Sequence, residues 1–358
     1  MTAAPPGTSI GAPLPALPLS HLAHLSDTRG IFEHARDAEP RAEHGYCLDD
    51  VARALSFVIR EVAWATEPTP HLSDLIDTYL RFIERAITEG GAAHNRLDTQ
   101  GQWTDTAGGG DWWGRGVGAL GATARLATDP KIVARATRAF LRTADWETPD
   151  LRAQLFAAVG ASDALTAGIA SLAGVSTRLI TRANAMVGPA VDPTWPWPEP
   201  RLRYANGVVP EALIAGGRAL HDAPMIDRGL TLLRFLLDTY TESGRLSLTG
   251  PAGWAPGEPR PQFDQQPIEA AKFAEACARA WELTGDEIWR QGVASAWRWF
   301  LGDNDSATPM VDLETGAGFD GLTPTGHNTN RGAESTLAAL TTHQLARQLG
   351  LASEVSRP

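Results

Sequence analysis

The chain has 358 residues, 43% hydrophobic and 20% charged, and its 42 acidic against 31 basic side chains give a net charge of −11 at pH 7. That balance argues against nucleic acid or an anionic membrane as the main partner, and the apolar share is too high for a disordered chain. Two cysteines, Cys47 and Cys277, cannot build a disulfide framework and read as buried thiols of a reducing compartment.

Residues 1–18 carry five prolines and lack both the basic start and the apolar core of a signal peptide. They predict a flexible, partly extended tail, followed by a single domain over 19–358. No stretch approaches the roughly 20 apolar residues that cross a bilayer, so the expectation is a soluble, cytoplasmic protein.

Beyond the tail, helical periodicity dominates. Over 71–87, Leu72, Leu75, Ile76, Tyr79, Leu80, Ile83 and Ile87 form one apolar stripe, and 131–146, 224–240 and 286–301 are amphipathic in the same way. A second kind of helix alternates with these. Residues 50–58, 115–126, 151–165, 208–220, 268–283 and 333–345 are rich in Ala and Gly and poor in charge, which implies burial on most sides. Six buried helices alternating with amphipathic ones predict an all-α (α/α)6 barrel, with short β pieces in the loops. Residues 19–34 or the C-terminal tail would complete the outer ring.

In such a barrel the inner helices run parallel, and their N-termini share one face with the long loops 89–110, 187–205, 241–263 and 302–329. Long loops in a compact domain usually build a site. The carboxylates at that face are Asp49, Asp50, Asp111, Glu199, Asp264, Glu269, Asp320 and Glu334. Near them stand His44, Tyr46, Trp112, Trp113, Arg115, Trp195, Trp197, Tyr204, Asn206, Gln265, Gln266, Asn328 and Asn330. Carboxylates and amides bind hydroxyls, aromatic faces stack on sugar rings, and glycosidic cleavage needs two carboxyl groups, so the set suits a carbohydrate.

Each has a plainer reading. Asp49, Asp111 and Asp264 fall where N-caps belong. Glu269 and Glu334 lie one turn inside buried helices, where the alternative to function is hydrogen bonding to loop amides. Glu199, set among Trp195, Trp197 and prolines, would have a raised pKa suited to an acid catalyst unless it pairs with Arg201 or Arg203. Cys47 beside two aspartates should stay a protonated thiol. There is no phosphate loop, no nucleotide fingerprint and no metal-ligand set, so no cofactor and no metal are expected.

The segments are also similar, as an ordered set, to a known group. Residues 44–55, His44 through the Asp49–Asp50 pair to Leu55, resemble the HGYCxDDNARAL signature of bacterial (α/α)6-barrel proteins that occur alone or fused to glycosyltransferases. Residues 111–115, 195–206, 263–270 and 328–337 match further elements in order, with Val51, Pro198 and Arg331 as departures. The resemblance implies a glycosidase-like protein of six-hairpin architecture, with a glycosyltransferase as partner.

The leading expectation is an inverting glycoside hydrolase acting on a short oligosaccharide or glycoconjugate. Glu199 would be the general acid and Asp50 or Asp111 the base, with the remaining residues binding substrate. Two alternatives stand beside it: a sugar phosphorylase or epimerase, and a non-catalytic carbohydrate-binding module serving a glycosyltransferase.

Overall fold

The computed structural model describes residues 14–65, 70–189, 192 and 194–351. Six helices form a closed inner ring: α2 (Leu48–Trp64), α4 (Asp111–Leu126), α6 (Leu151–Thr166), α8 (Val208–Leu220), α10 (Pro267–Thr284) and α12 (Ala333–Gln348). Each packs on the next, and α12 returns to α2. Outside them lie α3 (Pro70–Ala86), α5 (Pro130–Arg142), α7 (Ala173–Val187), α9 (Ala223–Tyr240) and α11 (Glu287–Phe300), one on each inner helix from α2 to α10. The sixth outer place, against α12, is taken by the single short helix α1 (Ser20–His24). The chain is an (α/α)6 barrel.

The inner helices approach closely because their contact faces have almost no side chain. A methyl group on Gly121 would lie 1.9 Å from the Gly160 carbonyl oxygen, so α4 and α6 meet backbone to backbone. The outer helices follow the amphipathic stripes within a few residues. Only α7 carries no strong stripe; Ser, Thr and Asn on its faces blur the pattern.

Four two-stranded pieces punctuate the loops. They are β1 (Ala35–Arg36) with β2 (Glu39–Pro40), β3 (Tyr46–Cys47) with β4 (Arg96–Leu97), β5 (Thr241–Glu242) with β6 (Arg245–Leu246), and β7 (Leu322–Thr323) with β8 (Gly326–His327). The β3–β4 pair matters most, because it fixes the segment that leads into the acidic first turn of α2.

Of the expected tail, residues 1–13 lie outside the described residues. Leu14 is buried, and the Pro18 carbonyl packs against Gly316, so residues 14–18 belong to the body of the fold. Among the described residues no helix is long and apolar enough to cross a membrane.

Candidate functional site

The starts of four inner helices converge on one cavity of about 390 Å³. Its wall takes Cys47, Asp49, Asp50 and Arg53 from the start of α2, and Asp111 and Arg115 from α4. Gln266 comes from the start of α10, and Gly332, Glu334 and Ser335 from the start of α12. Glu33, His34, Tyr204 and Asp320 complete it from the loops.

These carboxylates are not caps. The outer helices α5, α9 and α11 are capped by the side chains of Asp129, Asp222 and Asp286, whereas α2, α4, α8, α10 and α12 have no side-chain cap. The plainer reading of Asp49, Asp111 and Asp264 as N-caps therefore does not hold. Asp49 and Asp111 turn into the cavity, leaving the helix N–H ends directed toward it.

Two arginines organise the acidic wall. Arg53 donates to Asp50 Oδ1 at 2.5 Å and, through its other terminal nitrogen, to Glu334. Arg115 donates to Asp49 Oδ1 at 3.0 Å, while its guanidinium lies 3.9 Å from the centre of the Phe156 ring. Asp50 Oδ2 accepts the Cys47 thiol at 3.1 Å. Burial, with Asp50 and Asp49 close by, raises Cys47 well above the ordinary thiol range, so it remains an S–H donor.

Asp111 is different. Its Oδ1 is buried without a hydrogen-bond partner. Burial pushes its carboxyl up to about 6; Asp150 and Asp49 add to the shift and Arg115 opposes it. Asp50 is also pushed up to about 6 by burial, against the pull of Arg53. The two groups share a pKa range and differ in their bonds. Both oxygens of Asp50 meet donors that favour its ionised form, while one oxygen of Asp111 meets no donor, so nothing there opposes the effect of burial.

Glu199 is where the sequence expectation fails. It pairs with the buried Arg152 at 2.6 Å and faces Arg203 at 3.6 Å, so the apolar isolation expected from its Trp-Pro setting is absent. Arg152 also donates to the Tyr204 carbonyl, and the pair ties a loop to α6. Glu199 does not line the cavity.

The tryptophans are corrected too. Trp113 is buried and donates to the Gly91 carbonyl; Trp112 donates to that of Ala93 and covers Gly110. Trp195 and Trp197 are buried against Phe235. All four hold loops together, and no Trp lines the cavity. Tyr46 is likewise buried, bonded to Asp27 at 2.6 Å and stacked on Phe32.

Glu269 takes its plainer reading. Its carboxylate accepts the Ala205 and Asn206 backbone N–H groups and the Asn206 and Tyr240 side chains, anchoring a loop beneath the site. Asn206 and Gln265 are fully buried in such networks. Asp264 and Asn328 are exposed and do not line the cavity, and the Asn330 side chain accepts the Asp37 N–H. His44 is exposed and reaches the cavity only through His34, with the two Nδ1 atoms 2.9 Å apart.

Thus Asp49, Asp50, Asp111, Arg115, Tyr204, Gln266, Asp320 and Glu334 come together, and Glu33, His34, Arg53 and Ser335 join them unforeseen. Arg53 had a legible signal: it stands three residues after Asp50, one turn along the same helix face. Glu33 and His34 had none, because the segment read as part of an outer helix.

No protein-family model and no curated relative matches the chain. Solved structures do. A sugar epimerase from a ruminal bacterium superposes with a TM-score of 0.68 at 14% identity, covering 92% of this chain and 95% of its own. The cellobiose 2-epimerase of Spirochaeta thermophila gives 0.65 at 14%, covering 91% and 92%. A cellulase of C. cellulolyticum in complex with cellobiose gives 0.62 at 9%, covering 89% and 88%. The fold is shared. At these identities the likeness concerns architecture; the chemistry has to be argued from the cavity.

Proposed function

We propose that the protein is a carbohydrate-active enzyme that hydrolyses a glycosidic bond in the cavity at the N-terminal ends of its inner helices. The observation that carries this reading is the Asp111–Asp50 pair: one buried carboxyl with a free oxygen, one carboxylate held by donors on both. Asp111 takes the acid role that the sequence assigned to Glu199, protonating the leaving oxygen. Asp50, fixed by Arg53 and Cys47, activates the attacking water directly, a division of roles that inverts the anomeric centre. Asp49, Glu334, Asp320 and Gln266 supply acceptors and an amide for sugar hydroxyls. The structural neighbours named for cellulase and epimerase activities on sugars support a saccharide as the substrate class.

The same cavity disfavours a phosphorylase. Six carboxylates face two arginines, and both arginines are engaged by carboxylates, so an incoming phosphate finds no free cation. Epimerisation is the second reading, favoured by one observation: His34 lines the cavity, and burial and His44 lower its pKa, leaving a neutral imidazole near pH 7.

A panel of di- and oligosaccharides followed by proton NMR from the first minutes separates the two. Hydrolysis gives one new hemiacetal of inverted configuration and releases the leaving sugar with its own anomeric centre unchanged, and Asp111→Asn lowers kcat by about 10²–10⁴. A single epimeric product that is lost with His34→Asn and kept with Asp111→Asn replaces hydrolysis by epimerisation.

A further inference from the structure

A second cavity, of about 450 Å³, occupies the barrel axis on the other side of Arg53 and Arg115, which line both spaces. It runs toward the C-terminal ends of the inner helices, where Trp64 and Gln348 stand at its margin. Nothing in the proposed reaction uses it.

Its charged wall is net basic, seven cations against four carboxylates, but each cation already stands in an ion pair. Asp163 accepts Arg125 at 2.6 Å and Arg279 at 2.8 Å, and Glu275 accepts Arg60 at 3.0 Å and also pairs with Lys272. Glu282 faces Arg218 at 3.6 Å, and the remaining carboxylate, Glu211, is 3% exposed. Its nearest cations, Lys272 and Arg279, stand 3.9 Å away, beyond hydrogen-bond reach, and its Oε2 has no partner. A buried carboxylate oxygen without a donor is costly, and here it borders an open space of ligand size.

We propose that this axial chamber is a binding site for a small neutral polyhydroxylated ligand, a saccharide or cyclitol, that bonds to Glu211 and stacks on Trp64. Each other class meets an obstacle in the wall. An anion finds every cation already holding a carboxylate. An amine meets seven cations against four carboxylates. A hydrocarbon would cover Glu211 and leave it unpaired. A hydroxyl both donates and accepts, which suits a carboxyl that burial pushes up to about 7 and that therefore exchanges between its two forms near neutrality. Trp64, half-buried, offers the aromatic face that the first cavity lacks.

The test is calorimetric titration of the full chain with glucose, cellobiose and myo-inositol, alongside inorganic phosphate and butylamine. Glu211→Leu keeps the volume and removes the acceptor; Trp64→Ala, at the margin, leaves the core intact. A binding event that each substitution weakens by about tenfold or more, and that persists in Asp111→Asn, is the expected result. Hydroxylated ligands whose binding ignores both substitutions, no such binding at all, or saturation by phosphate or butylamine in their place would overturn the proposal. Absence of glycosidic turnover leaves this binding event unaffected, so the two readings fail separately.

Discussion

At Asp111 a working carboxyl and a stable fold pull in opposite directions. Its folded pKa of about 6 exceeds that of an exposed aspartate, so the native state holds the proton more tightly than the unfolded chain. Stability from this group is then complete at low pH and is lost as pH rises through about 6. Asp111→Asn mimics the protonated form and should stabilise the protein by on the order of 2 kcal/mol at about pH 8, with no gain at about pH 4, in paired thermal or urea unfolding series. The same variant loses turnover. Glu199 should behave in reverse. Glu199→Gln leaves Arg152 without its anion and costs about 2 kcal/mol in denaturant unfolding, while kcat stays within about tenfold of the parent. A collapse of turnover without loss of stability would return the acid role to Glu199.

The helices divide labour between their two ends and two rings. Three outer helices, α5, α9 and α11, close their N-termini with aspartate side chains, as free-standing helices do. Most inner helices leave theirs without side-chain caps, and Asp49, Asp50 and Glu334 bond to arginines and line the cavity with Asp111 instead. What holds the inner ring is close backbone packing. Gly121→Ala places a methyl group against the Gly160 carbonyl and must push α4 from α6; a loss of about 1–3 kcal/mol in thermal unfolding is expected. Both helices also supply site residues or their supports, Asp111 and Arg115 on α4 and Arg152 on α6, so the shift should reach the cavity and raise KM.

For the molecule as a whole, closure of the ring is decisive. The last helix, α12, meets α2 through Arg347 and Gln344, which both bond to Glu61, and through the Arg53–Glu334 pair at the site end. These contacts join residues separated by nearly the whole chain. Deleting residues 333–358 therefore removes a wall of both cavities and opens the ring. The truncated chain should show no cooperative thermal transition by circular dichroism, whereas a merely peripheral helix would lower the midpoint and leave the transition sharp.

The alternation of Ala- and Gly-rich with amphipathic segments already determined the barrel, because burial on all sides and burial on one side demand different compositions. It also determined which end carries the acidic site: parallel inner helices place Asp49, Asp50, Asp111 and Glu334 together whatever the loops do. Roles within that set were decided only by tertiary structure. A tryptophan or glutamate in a loop reads alike whether it faces a ligand or a carbonyl. Arg152, nearly fifty residues from Glu199, turned the expected acid into half of an ion pair. Distant partners set the protonation of a buried carboxyl, and chain order carries little trace of who those partners are.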